Sequence, residues 1–223
     1  MRDQSFKQYF WRNLPHIHPL GATLFITFRL DGSIPKVLLN EYEQKKSLME
    51  QREFQDEVSA EKAYLEFHRY WFRAFEEALH NNNSGPMWLG DETVAGIMKE
   101  SLHHRDNQEY QLDAYCIMPN HVHVVFTPNI SEKDLRAYQT KRGLRFHSKV
   151  STTSKIMESL KGYTARKCNQ ALHRSGSFWQ TESYDHVVRD GTGFDRIVNY
   201  VLNNPVKAGL VSEWQEWKWS YKK

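Results

Sequence analysis

Tyr115-Cys116-Ile117-Met118-Pro119-Asn120-His121-Val122-His123-Val124-Val125-Phe126 reads as two strands meeting at a tight Pro-Asn turn, and it sets the centre of the fold. Side chains two apart on a strand share a face, so the imidazoles of His121 and His123 look the same way. Two adjacent imidazoles on a rigid buried strand suit a divalent metal ion that needs one more protein ligand. A lone His-x-His more often marks core or surface histidines. Its weight here comes from a second element about eighty residues downstream.

That element runs from Arg196 to Gly209. Ile197, Val198, Val201 and Leu202 have helical spacing, and Pro205 with Gly209 ends the helix. Tyr200 and Asn204 are four apart, one above the other on a single helix face. If that face lies over the histidine strand, a phenol and an amide oxygen converge on one metal. A phenol beside a metal-bound phosphate is a nucleophile for phosphorus and forms a covalent phosphotyrosine. The plain alternative is a half-buried aromatic and a residue that caps the helix end.

Outward from these two elements, residues 22–30 alternate as a first strand, and residues 37–81 read as two helices rich in Glu, Lys and Gln. A helix opens at Asp91 or Thr93 and runs to His103, with Val94, Ile97, Met98 and Leu102 on one stripe. Strands near 110–118 and 121–127 follow, then a basic stretch over 133–148 with a weak helix. A long helix over 151–172, a fourth strand over 179–189 and the tyrosine helix over 192–203 complete the order. The βαββαβ succession predicts an α+β fold, a ferredoxin-like or RRM-like split βαβ antiparallel sheet with helices on one face and the histidines on a central strand. The tail from Trp214 to Tyr221 packs back as an aromatic clasp.

At 223 residues the chain buries one good core, and a single domain over 1–223 with a helical insertion at about 36–83 is the expected organisation. No apolar run approaches the roughly 20 residues of a membrane helix, and the start lacks a hydrophobic signal segment. Cys116 and Cys168, the two cysteines, read as small buried apolar residues of a reducing cytoplasm. Between 131 and 189 there are 12 Lys/Arg against 5 Asp/Glu; between 36 and 100 there are 8 against 13. The carboxyl half is therefore expected to present a phosphate-binding surface, with the acidic segment away from it. Tyr138, Phe146, Tyr163, Phe178, Trp179 and Tyr184 interleave with those cations, a pattern suited to stacking unpaired bases, although some of the six must be core.

Four ordered stretches carry a resemblance: Cys116-Ile-Met-Pro-Asn-His-Val-His-Val-Val, Ser159-Leu-Lys-Gly-Tyr-Thr-Ala-Arg-Lys, Phe178-Trp-Gln-Thr-Glu-Ser-Tyr-Asp-His-Val-Val-Arg-Asp and Asn199-Tyr-Val-Leu-Asn-Asn-Pro-Val-Lys-Ala-Gly-Leu. Together, over roughly 110–220, they resemble the REP-associated tyrosine transposases, single-tyrosine HUH transposases. The resemblance implies that His121, His123 and Asn204 hold Mg²⁺ or Mn²⁺ and that Tyr200 is the nucleophile. It implies cleavage and rejoining of single-stranded DNA at palindromic hairpins through a 5′-phosphotyrosine, in the cytoplasm of a prokaryote. The segment at 36–83 departs from it, being longer than a minimal domain of this kind needs.

Other residues carry two readings each. Tyr163 is the alternative nucleophile; Lys161, Arg166, Lys167 and Arg189 are phosphate contacts or solvated positions. Trp179 and Gln180 are packing or base contacts, and Glu182 with His186, four apart on the expected strand, are a supporting pair or a set that orients a ligand. His16 and His18 repeat the His-x-His spacing in a proline-flanked loop and are read as incidental. Two further function classes stay open beside the transposase: a catalytically silent hairpin-binding module, and a metal-dependent nuclease that uses water. The oligomeric state, monomer or homodimer, is not set by these residues.

Overall fold

The computed structural model describes residues 9–11, 15–17, 21–81, 85–131, 152–188 and 190–223. Its centre is a five-stranded antiparallel sheet. The strands are β3 (Leu24–Arg29), β4 (Tyr110–Ile117), β5 (His121–Pro128), β6 (Tyr184–Val187) and β7 (Ser220–Lys222), in the order β6-β3-β5-β4-β7. The short strands β1 (Tyr9–Trp11) and β2 (Pro15–Ile17) pair separately. The helices are α1 (Lys36–Glu50), α2 (Glu57–Asn81), α3 (Glu92–Arg105), α4 (Thr152–Ala171), α5 (Gly191–Leu202) and α6 (Asn204–Lys207). The expected basic stretch over 133–148, with Tyr138 and Phe146, lies outside the described residues.

Alternation along the strands divides the molecule into two faces. Leu24, Ile26 and Phe28 of β3 and Val122, Val124 and Phe126 of β5 join one apolar cluster, with Met98 and Leu102 of α3 and Ile156 and Leu160 of α4. Phe25 of β3, Val125 of β5 and Ala114 and Cys116 of β4 join a second, under Val198, Val201 and Leu202 of α5. A bulge between Leu112 and Ala114 reverses the phase of β4, so Leu112 and Tyr115 both reach the first cluster. Helices therefore cover both faces, against the expectation of one. The physical reason is that β5 is buried at all but one of its positions, a run that needs cover on both sides.

Local chemistry sets the helix ends. Asp91 caps α3, its side chain accepting from the backbone N–H of Thr93 at 2.8 Å and of Val94 at 3.1 Å. Asp190 caps the tyrosine helix α5 through the N–H of Gly193 at 2.6 Å. The fourth strand is shorter than the 179–189 expected. Lys161 of α4 donates to the carbonyls of Gln180 at 2.6 Å and Thr181 at 2.8 Å, turning that connection away from a continuous ladder. The tail adds β7 to the edge of β4, and Trp217 Nε1 donates to the Ile117 carbonyl at 3.0 Å, which is the clasp. Cys116 and Cys168 are free thiols, buried in different clusters. Among the described residues, no helix is long and apolar enough to cross a membrane.

Candidate active site and metal centre

The second face of the sheet carries the polar cluster. His121 and His123 are fully buried side by side on β5, their Nε2 atoms 2.9 Å apart. Asn120 Nδ2 donates to the Leu79 carbonyl at 2.8 Å, which turns Asn120 Oδ1 to His121 Nδ1 at 2.6 Å. An amide oxygen only accepts, so His121 Nδ1 bears the proton and its Nε2 presents a lone pair to the site. Thr27 Oγ1 of β3 lies 2.7 Å from His123 Nδ1, and its hydroxyl can donate to that nitrogen or accept from it. Burial, followed by the neighbouring His123, pushes the pKa of His121 well below the ordinary imidazole value, which keeps it neutral.

Helix α2 crosses this face. Phe72, Glu76 and His80 are four apart and form one stripe. Phe72 stacks on Tyr184 of β6 at 3.9 Å and meets Phe25 edge-on at 6.0 Å, which seats the helix. Glu76 Oε2 then lies 3.3 Å from His123 Nε2 and accepts a hydrogen bond from the Tyr200 hydroxyl. Burial favours the neutral carboxyl of Glu76, but His123, His121 and that hydroxyl outweigh it and hold its pKa well below the usual range. Burial, with the charge of Glu76 and the hydrogen bond to it, pushes the Tyr200 phenol far up.

Helix α5 delivers Tyr200 and the following turn delivers Asn204. The Asn204 amide donates to the carbonyls of Tyr200 at 2.8 Å and Val201 at 3.4 Å, so its oxygen points outward, 3.0 Å from His80 Nε2. The acceptor-only oxygen makes His80 Nε2 the donor. Lys207 of α6 sits over the Tyr200 ring at 4.2 Å. Beside these groups opens a cavity of about 410 Å³ walled by Phe72, Arg73, Glu76, Glu77, His80, Asn81, Tyr200 and Lys207.

The donor set suits a divalent cation. Glu76, His80 and His121 each offer one atom, all within 4.8 Å of one another. The 2.9 Å between the Nε2 atoms of His121 and His123 matches neighbouring ligands on one ion with bonds of about 2.1 Å. Imidazole nitrogen, carboxylate and amide oxygen are all donors that a divalent cation accepts.

Of the residues singled out in the sequence, His121, His123, Tyr200 and Asn204 come together. Tyr163 does not: it stands half-exposed on α4, over the first face, between the guanidinium groups of Arg105 and Arg166 at 5.7 Å each. Arg166 and Lys167 are exposed on that helix, whereas the Lys161 ammonium is held by the carbonyls of residues 180 and 181. Trp179 is core, its Nε1 donating to Thr164 Oγ1 at 2.9 Å, and the Gln180 N–H bonds the Arg29 carbonyl at 2.9 Å. Glu182 precedes β6 instead of sharing a strand with His186, and its charge acts on Arg29 and Tyr42; His186 is exposed opposite Phe25. Arg189 lies outside the described residues. Sequence reasoning missed Glu76 and His80, and it set their acidic segment apart from the site. The available signal was the four-residue stripe of an aromatic, a carboxylate and an imidazole.

No protein-family model matches the chain. A Haemophilus influenzae protein assigned as a REP-associated tyrosine transposase is 23% identical over 116 residues, 52% of this chain and 60% of that protein. The REP-associated tyrosine transposase of Escherichia coli is 22% identical over 116 residues, 51% of this chain and 55% of the relative. The match thus spans under two thirds of the length of either relative. A solved structure of a REP-associated tyrosine transposase bound to a REP hairpin aligns with 94% of this chain and 80% of its own, at 15% identity and a TM-score of 0.49. By its ordered motifs and these curated relatives, the chain is similar to the REP-associated tyrosine transposases.

Proposed function

We propose that the protein is a metal-dependent, single-stranded DNA endonuclease and strand transferase of the tyrosine HUH transposase kind. In this reading residues 1–223 form one domain, with a ferredoxin-like split βαβ sheet at its centre and α1–α2 inserted, and it acts on palindromic hairpin DNA in a prokaryotic cytoplasm. One observation carries it: a phenol and a buried imidazole meet on the same carboxylate oxygen, beside a second imidazole whose lone pair faces them.

His121, His123 and Asn204 are the proposed metal ligands. A bound Mg²⁺ or Mn²⁺ supplies Lewis acidity to the scissile phosphate. The Tyr200 oxygen bonds to phosphorus while the bond from phosphorus to the 3′-oxygen breaks. The 5′-phosphate stays on the tyrosine, the 3′-oxygen leaves and takes up a proton as a hydroxyl, and the nearest acceptor for the phenol proton is Glu76. The link keeps the phosphodiester energy, so rejoining needs no nucleotide. Arg73 and Lys207 flank the cavity and are suited to the phosphates of the entering strand. Arg166 and Lys167, on the far side of the sheet, are then contacts for a duplex stem that reaches around it.

Hairpin oligonucleotides labelled at the 5′ or 3′ end, incubated with Mn²⁺ and run on denaturing gels, test the reading. A metal-dependent protein–DNA adduct on the 5′-phosphate side is the expected result. Cleavage without an adduct points to hydrolysis by water, and binding without cleavage to a silent binding module.

A further inference from the structure

We propose that helix α2 supplies a protein ligand to the metal centre, the Glu76 carboxylate, with His80 as the residue that positions Asn204; the proposal rests on the metal-dependent reading of the site.

Glu76 is a buried carboxylate, 7% exposed, on the helix packed over the histidines. Burying an ionised carboxylate opposes folding unless it is well paired. Among the described residues its polar partners are the Tyr200 hydroxyl and His123 Nε2, both on Oε2. Both partners sit on one oxygen, and a divalent cation compensates a full negative charge directly. The neighbouring donors are arranged for one. The relay from Leu79 through Asn120 fixes a lone pair on His121 Nε2, and a His121 nitrogen and a Glu76 oxygen lie within 4.8 Å of each other. His80 Nε2 donates to Asn204 Oδ1 at 3.0 Å, which holds that oxygen by one of its lone pairs and leaves the other for an ion. Leu79, Glu76 and His80 all belong to α2, so this helix is part of the centre and not an appendage to it.

The test uses the full chain with Mn²⁺ as the probe and no DNA, reading affinity by calorimetry. Wild type binds, and Glu76→Gln, which keeps an acceptor for the Tyr200 hydroxyl, loses about 10–100-fold, as His121→Ala does. Tyr163→Phe, on the opposite face of the sheet, leaves the affinity unchanged. His80→Ala loses less than Glu76→Gln, and His80→Gln, which still donates to Asn204, recovers part of the loss. Full Mn²⁺ affinity in Glu76→Gln, with His121→Ala impaired, overturns the ligand assignment and leaves the metal-dependent reading standing. No Mn²⁺ binding by wild type overturns both. Hydrogen exchange of the wild-type chain gives an answer that no variant's folding affects. Mn²⁺ slows exchange across residues 76–81 together with β5 if α2 holds a ligand; slowing confined to β5 and α5 overturns the proposal.

Discussion

The two faces of one sheet are built from the same strands and differ in almost every physical respect. On the first, Ile26, Phe28, Val124, Phe126, Met98 and Leu102 are at most 1% exposed and purely apolar. On the second, the alternate residues Thr27, His121 and His123 are buried but polar, Thr27 bonded to His123 across the ladder and His121 to Asn120 and His123. The apolar face yields burial energy of about 1.5–3 kcal/mol per large side chain. The polar face carries groups whose burial opposes folding unless they are paired. Among the buried residues of β3 and β5 that cost falls on one face alone, the physical mark of a functional centre, with stability supplied from the other.

Substitutions that separate the faces put this comparison at risk. The largest effect is expected from Tyr200→Phe, which removes the proposed nucleophile and abolishes the covalent adduct on denaturing gels, while Tyr163→Phe on the opposite face retains it. Next, Phe126→Ala in the apolar cluster lowers stability by about 3–5 kcal/mol in urea titrations and leaves Mn²⁺ affinity within about twofold. A comparable loss of metal affinity in that variant breaks the division of labour.

Acid has a smaller effect, and its sign is set by His121. Its folded-state pKa lies well below the unfolded value near 6.5, so below that pH the unfolded chain binds a proton that the folded chain refuses. Stability is complete above about pH 7 and falls toward pH 5 by up to about 1.4 kcal/mol per pH unit for this imidazole. His80 shifts in the same direction with a weaker contribution, being partly exposed, and the depressed pKa of Glu76 acts in a lower window, below the unfolded carboxyl value. Urea midpoints in a chelator between pH 7.5 and 5.5 show the slope in wild type and a flatter one in His121→Gln. The smallest effect concerns DNA. Arg73→Ala and Lys207→Ala each reduce the salt slope of single-strand binding by about 0.7, whereas Arg166→Ala leaves it unchanged on an unstructured strand.

The central hairpin and the tyrosine helix were legible because their information is local. The strand alternation that turns His121 and His123 the same way, and the four-residue step from Tyr200 to Asn204, are periodicities of single elements. The cover on both faces was legible too, in the unbroken apolar run of β5, and the expectation of one-sided cover overlooked it. Glu76 and His80 were not legible in the same sense. Their stripe lies in an ordinary charged helix, and only Phe72 seated against Tyr184 and Phe25 brings it onto the histidines. The short β6 has a similar cause: the Lys161 ammonium draws off the carbonyls of residues 180 and 181, a contact between α4 and a distant connection that no strand pattern contains.

The central claim is that the polar face is a phosphoryl-transfer centre with Tyr200 as its nucleophile. Peptide mapping of the purified protein–DNA adduct by mass spectrometry tests it most directly. The account predicts a nucleotide phosphate on the peptide containing Tyr200. A nucleotide on the Tyr163 or Tyr184 peptide, or cleaved DNA with no modified tyrosine, would contradict it.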